Sequence, residues 1–144
     1  MFTREPIVSG EAILDYIPQR PPVVMVDSFY GAEGDCSYSG FTVPTDHIFR
    51  RGGVLDECAL IENMAQSAAL RVGWLCVSEG KAVPLGFIGS VGRCALGRKL
   101  RAGETLLTTI KVVAEVGNVA LAEAEVTCGG ERVAACTLKI FLQQ

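Results

Sequence analysis

The sequence predicts an α+β fold in which a curved antiparallel sheet wraps around one long central helix. Residues Leu55 to Val77 are apolar at helical spacing and carry few charges, which is typical of a buried helix. Strand-like segments separated by glycine turns lie on both sides of this helix and indicate antiparallel pairing. With a single buried helix and a single sheet, wrapping the sheet around the helix is the economical arrangement.

The composition favours one folded domain covering residues 1–144. Apolar residues make up 49% of the chain and charged residues 20%, which argues against disorder. The net charge of -3 gives no basic footprint for nucleic acid. The first residues lack the apolar core of an export signal, and charged residues interrupt the long helix. We therefore expect a cytoplasmic protein that neither binds nucleic acid nor spans a membrane.

The six cysteines are predicted to be reduced. They are spaced singly, without a C-x-x-C motif, and the chain has one histidine. This pattern favours buried thiols in a reducing compartment over disulfides or a metal site.

The N-terminal part predicts a short helix and a hairpin. We expect Ser9 to be the N-cap of a short helix that runs through Ile17 and is ended by Pro18. The β-branched run Val23–Val26 predicts a strand, and Cys36–Val43 predicts its hairpin partner. A loop is expected from residue 44 to residue 53.

The C-terminal part predicts a glycine-rich strand followed by a meander. Pro84–Leu96 is apolar but contains three glycines, which indicates a bulge or a close approach of another group, such as the helix or a substrate. Glycine turns then separate three strands: Glu104–Val116, Val119–Cys128 and Glu131–Leu142.

One face of the long helix contains a single charged residue, Glu62. At helical spacing this face consists of Cys58, Ile61, Glu62, Ala65, Ala68, Ala69, Val72, Leu75 and Cys76. A carboxylate in apolar surroundings is costly unless it is paired or protonated, so Glu62 is a candidate functional residue. Gln66 lies one turn later and can hold the carboxyl group by a hydrogen bond. The same bond would also suit a purely structural carboxylate.

His47 is the candidate partner of Glu62. It lies fifteen residues earlier, in the loop that leads to the N-terminus of the helix, where backbone amides can polarise a carbonyl oxygen. An imidazole base and a carboxylic acid kept protonated by apolar surroundings can together remove a proton α to a carbonyl and protonate a leaving hydroxyl. That chemistry is a β-elimination of water. A histidine with no catalytic role is the alternative.

At these residues the chain resembles the hotdog-fold 3-hydroxyacyl-[acyl carrier protein] dehydratases. The resemblance rests on the segments 17–27, 46–49 and 61–66, supported by 86–89 and 103–106. It is most similar to the smaller dehydratase-like branch of bacterial aryl polyene and flexirubin-type pigment clusters. The resemblance implies a sheet wrapped around a central helix and a dimer in which the histidine of one protomer meets the carboxylate of the other.

The resemblance also implies roles for individual residues. His47 matches the base that takes the α-proton, Glu62 the acid that acts on the 3-hydroxyl, and Gln66 the residue that orients the acid. The candidates for lining the substrate site are Phe49, Gly53, Cys58 and Ala65. The implied substrate is a (3R)-3-hydroxyacyl thioester on acyl carrier protein and the product is the trans-2-enoyl thioester, with no cofactor or metal. The implied partner subunit is a second copy or a related dehydratase.

The chain departs from the housekeeping dehydratases around both candidate residues. Asp46–Phe49 replaces their Gly-His-Phe-Pro sequence, and Asp56–Ala59 replaces a Pro-Gly step that supplies the carbonyl-binding amide. Members of the pigment branch often have asparagine in place of His47. Two alternatives stay open: a thioesterase in which Glu62 activates water, and a non-catalytic subunit that stabilises a partner dehydratase.

Overall fold

A computed structural model describes residues 5–47, 50–51 and 54–143 of the chain. The helical elements of this part are a 3-10 helix at Gly10–Asp15 and the 22-residue helix α1 at Glu57–Ser78. The strands in chain order are β1 Val8–Ser9, β2 Ser28–Glu33, β3 Cys36–Thr42, β4 Arg50–Arg51, β5 Val54–Leu55, β6 Gly86–Leu96, β7 Leu100–Arg101, β8 Thr105–Val116, β9 Val119–Cys128 and β10 Glu131–Leu142.

Seven of these strands form one antiparallel sheet, which packs around helix α1. Their order is β1-β2-β3-β8-β9-β10-β6, and β4, β5 and β7 form a separate small sheet. Helix α1 contacts strands from both halves of the large sheet. The core between them includes the fully buried Leu60 and Met64 of the helix and Leu106 and Leu138 of the sheet. The predicted α+β fold is therefore confirmed.

The meander of β8, β9 and β10 and the glycine-rich edge strand β6 also follow the prediction. The pairing of β6 with β10 shifts its register between Ile88 and Ser90, which is the bulge that the glycines indicate. A Cβ on Gly89 would collide with the ring of Phe141. The missing side chain thus makes room for Phe141 of β10.

The predicted strand at Val23–Val26 is wrong. Strand β2 begins only after this segment, which runs outside the sheet. Side chains of α1 bind its backbone: Asn63 Nδ2 donates to Met25 O at 2.7 Å, and Gln66 Nε2 donates to Val23 O at 2.8 Å. Because the helix satisfies these polar groups, the segment needs no neighbouring strand.

The predicted N-terminal helix is shorter than expected. It is a 3-10 helix that ends at Asp15, and Ser9 makes no side-chain capping bond to it. The next residue, Tyr16, donates its backbone N–H to Ile13 O and closes the last turn. Ile13 and Ile17 then pack with Phe29 and Leu70 in a second apolar cluster.

Helix α1 lies where the sequence predicts it, but its most deeply buried face is a different one. Of the predicted apolar face, only Ala68 is buried, while Glu62 and Ala65 are half-buried and Cys58 is exposed. The buried residues are Ala59, Leu60, Asn63, Met64, Gln66, Ser67, Ala68, Leu70, Arg71 and Gly73. The physical reason is that the buried polar side chains find hydrogen-bond partners, so burial does not exclude them.

All six cysteines lie in the described part of the chain, and none forms a disulfide. Burial raises the pKa of the Cys136 thiol to about 11. Within the described ranges, neither helical element combines the length and the apolarity that crossing a bilayer requires.

Candidate active site

A single loop segment connects the two residues that the sequence singles out for catalysis. His47 Nε2 lies 3.2 Å from Val24 O, and Gln66 Nε2 donates to Val23 O at 2.8 Å. The same Gln66 nitrogen donates to Glu62 Oε1 at 2.8 Å. The imidazole and the Glu62–Gln66 pair are therefore attached to consecutive peptide groups of one chain.

The His47 ring is held from two sides. It is half-buried and packs edge-on against the ring of Phe41, with centroids 5.9 Å apart and planes at 78°. A carbonyl oxygen can only accept, so the bond to Val24 O requires a proton on Nε2. A neutral imidazole in this arrangement keeps its lone pair on Nδ1.

Gln66 has one amide orientation in this site. Its Oε1 accepts from the backbone N–H of Met25, so the amide nitrogen must face Val23 O and Glu62. Gln66 is fully buried, which protects these bonds from exchange with water. The half-buried Glu62 carboxyl group is thus held by a donor that the core keeps in place.

Asn63, which the sequence prediction did not single out, also builds this site. Asn63 is fully buried, and its Nδ2 holds Met25 O while its Oδ1 accepts from Thr108 Oγ1 at 2.6 Å. It thereby links the loop segment to strand β8. The sequence does contain a sign of this role. Asn63, Gln66 and Ser67 are polar residues at positions i, i+3 and i+4, so they share one face of the helix.

The half-buried apolar face of α1 lines a groove, which consists of two adjoining cavities. The near cavity, of about 60 Å³, is lined by Pro18, Gln19 and Ala65, and Ala65 lies one turn from Glu62. The far cavity, of about 200 Å³, is lined by residues nearer the C-terminus of the helix, including Arg71. The lining residues common to both cavities are Ala68, Val72, Ile140 and Leu142.

The structure describes only some of the remaining predicted site residues. Phe49 and Gly53 lie outside the described residues. Cys58 is exposed in the first turn of α1, and Ala65 lines the groove. In the ranges that the structure describes, no three His, Cys, Asp or Glu side chains are grouped as a metal site would require. The pairing of His47 with Glu62 across a subunit boundary stays a prediction, since it involves two chains.

Comparison with protein families identifies the chain. The model of the ApeP-like family, described as ApeP dehydratase, matches residues 11–144. The chain belongs to this family. This membership confirms the resemblance to hotdog dehydratases of the aryl polyene type. No curated protein matches the chain.

Solved structures show that the hotdog fold extends well beyond this family. The ApeI:P dehydratase heterocomplex from Xenorhabdus doucetiae has a TM-score of 0.85 and 18% identity, covering 99% of this chain and 93% of that chain. The PaaI protein of E. coli has a TM-score of 0.63 and 17% identity, covering 81% and 79%. A hypothetical thioesterase with coenzyme A from Streptococcus pneumoniae has a TM-score of 0.61 and 13% identity, covering 81% and 87%. At these identities the likeness shows the fold alone.

Proposed function

We propose that the chain is a hydro-lyase that eliminates water from a (3R)-3-hydroxyacyl thioester on acyl carrier protein and forms the trans-2-enoyl thioester. The observation that carries this proposal is that one loop segment holds both candidate groups of a subunit, His47 at Val24 O and the Glu62–Gln66 pair at Val23 O, so that each can act with the matching group of a second subunit. Membership of a dehydratase family supports it. The reduced cysteines suit a cytoplasmic reaction.

The proposed reaction needs one base and one acid. The imidazole of His47 takes a proton from C2 of the acyl chain, and the electron pair of that C–H bond forms the C2–C3 double bond. The C3–O bond breaks, and the leaving hydroxyl takes a proton from the Glu62 carboxylic acid, so that water is released. A proton then passes from His47 back to Glu62 and restores both groups.

The proposed working unit contains two subunits. Strand β6 is the last strand at one edge of the large sheet, and it exposes Ile88 at 39% and Val91 at 38%. An apolar sheet edge is a natural place for another chain to add strands. The ApeI:P relative is a heterocomplex, which supports a related dehydratase as the partner. A second copy of this chain is the alternative, and in either case His47 of one subunit would act with a carboxylate of the other.

The test compares Glu62→Gln with a matched control, Glu57→Gln. Both residues are glutamates of α1, but Glu57 is exposed in its first turn. The assay follows formation of the enoyl thioester from 3-hydroxyacyl carrier protein, with the chain alone and with a related dehydratase subunit. We expect Glu62→Gln to reduce kcat by about 10² to 10⁴ and His47→Ala to act similarly, while Glu57→Gln keeps the wild-type rate.

Three results would contradict the proposal in different ways. Release of free acid instead of an enoyl product would indicate the thioesterase. Full activity of a partner complex that contains Glu62→Gln and His47→Ala would assign the chemistry to the partner and leave this chain a supporting role. A rate that neither variant changes in the chain alone would mean that these residues are not the acid and the base.

A further inference from the structure

The edge of the large sheet carries two cysteines that the proposed reaction does not use. Cys94 lies in the edge strand β6 and is exposed, whereas Cys136 lies in β10 and is 4% exposed. Strand β10 pairs with β6 along its length, so the two thiols lie on neighbouring antiparallel strands. Whether they can react with each other depends on the register of the strands and on the face that each side chain occupies.

A bulge in β6 places Cys94 across from Cys136. The register shifts between Ala135 and Thr137 of β10, so that Cys136 alone faces two residues of β6, Arg93 and Cys94. Among the described residues other than glycine, Arg93 is the one with a positive φ, at +49°. This left-handed conformation is usually taken by glycine at the first position of a bulge. The chain therefore accepts a strained residue at the point where the bulge brings the two cysteines opposite each other.

The two cysteine side chains share one face of the sheet. Cys136 points into the core, where its Sγ lies 3.5 Å from Met64 Sδ. On the same face, Leu96 of β6 pairs with the buried Ala134 of β10. Side chains two residues apart along a strand point to the same side. Cys94 lies two residues before Leu96, and Cys136 lies two residues after Ala134, so both thiols belong to this face.

The thiols are also close in space. Burial, and with it the negative charge that Cys94 can carry, raises the pKa of the Cys136 thiol to about 11. Opposed side chains of antiparallel strands have Cβ atoms about 4.5–5.5 Å apart, and a disulfide requires about 3.5–4.5 Å. Within the described sheet, β6 has β10 as its one neighbour, so the edge strand can make this short approach.

We propose that Cys94 and Cys136 are an oxidisable thiol pair, which hydrogen peroxide closes to a disulfide that fixes the edge strand β6 to β10. The inference is independent of the proposed reaction. It concerns the strand that the proposed working unit uses as its subunit edge.

The oxidation proceeds in two steps. The exposed Cys94 reacts first: its thiolate attacks one oxygen of the peroxide, the O–O bond breaks, and the leaving hydroxide takes the proton that Cys94 gave up and becomes water. Cys94 is then a sulfenic acid. The sulfur of Cys136 attacks the sulfur of Cys94, the S–O bond breaks, and the leaving hydroxide takes the proton of Cys136. Two thiols are oxidised to one disulfide, and the peroxide is reduced to two molecules of water.

The test treats the reduced full chain with stoichiometric hydrogen peroxide, alkylates the remaining thiols and maps disulfides by mass spectrometry. Trypsin should release the two cysteines in separate peptides, 94–98 and 133–139. We expect the wild type to yield these peptides joined, two hydrogen atoms lighter than the free pair. Cys94→Ser should lose this product. The matched control is Cys36→Ser, at a half-buried cysteine of β3, and it should keep the product.

A second variant and a second measurement separate the parts of the inference. In Cys136→Ala, Cys94 should remain a sulfenic acid, which dimedone traps, because the second thiol is missing. In the wild type, hydrogen exchange at the β6 amides should be slower after oxidation and return to its original rate after reduction. A disulfide that joins Cys94 to another cysteine or to a second copy, or the absence of any joined peptide, would overturn the inference. Unchanged exchange in the oxidised chain would overturn the claim that the disulfide fixes the edge strand.

Discussion

The two faces of helix α1 meet very different surroundings. One face carries Asn63, Gln66 and Ser67, and all three residues are buried. The other face carries Ile61, Ala65 and Val72 beside Glu62, and these residues are only half-buried. The polar face packs against the loop segment and the sheet, whereas the apolar face borders the groove.

The difference shows that polar contacts hold the site while apolar residues shape the space beside it. Asn63 and Gln66 bind the backbone at residues 23 and 25, and Ser67 accepts from Ser39 of β3 at 2.7 Å. These bonds fix the segment whose Val24 carbonyl holds the His47 ring, and they position the amide that holds Glu62. The apolar face is left available to an acyl chain or a partner subunit.

We expect the largest effect from a substitution of Asn63 on the buried polar face, and this effect is a loss of stability. Asn63→Leu has a similar size but leaves Met25 O and Thr108 Oγ1 buried without a partner. We expect a loss of about 3 kcal/mol in the free energy of unfolding, because each unpaired buried group costs about 1–3 kcal/mol. Chemical denaturation followed by far-UV circular dichroism measures this free energy.

Ala65→Ser is the control for that substitution on the apolar face. It places a polar group at a half-buried position and should change the free energy of unfolding by less than about 1 kcal/mol. Equal losses of stability for the two variants would mean that the two faces of α1 do not differ in their dependence on polar contacts.

A smaller effect is expected from filling the groove at Val72, which lines both cavities. Val72→Phe should lower the ratio of kcat/KM for long over short 3-hydroxyacyl chains by about tenfold, because overpacking costs about 1–3 kcal/mol where the longer chain must pass. Val77→Phe, at an exposed position of the same helix, should keep the ratio. If both variants lower it equally, the groove does not hold the acyl chain.

The smallest effect is the loss of stability in acid. It distinguishes the buried amide and hydroxyl contacts of α1 from the charged cluster around Glu104 at the surface. Hydrogen bonds from Arg98 and the backbone of Arg101 lower the pKa of Glu104 from 4.5 to about 2. A depressed folded-state pKa gives stability that is present above the unfolded value and is lost as the pH falls from about 4.5 to about 2. The side-chain bonds of Asn63 and Ser67 join neutral groups and have no such dependence.

We therefore expect Glu104→Gln to be less stable than the wild type at pH 7 and to approach it as the pH falls toward 2. The Glu104 side chain is 28% exposed, so added salt should reduce the difference. Urea unfolding at a series of pH values measures it, with Glu123→Gln as the control at an exposed carboxylate. A constant difference between Glu104→Gln and the wild type across this range would show that Glu104 does not contribute to acid unfolding.

The sequence by itself determined the fold class, the position of α1 and the final meander, and it singled out His47 and Glu62 as candidate site residues. These features depend on local periodicity, on turn residues and on rare residue types, all of which can be read within a few positions of the chain. The Val23–Val26 prediction failed for the same reason, because a β-branched run looks like a strand wherever it occurs.

Only the tertiary structure decided which face of α1 is buried and how His47 and Glu62 are connected. Hydropathy assigns polar residues to the surface unless partners are known, and the partners of Asn63 and Gln66 outside the helix lie 38 to 45 residues away in the chain. A buried amide is stable where such distant groups satisfy its donors and acceptors, and sequence periodicity does not contain that information.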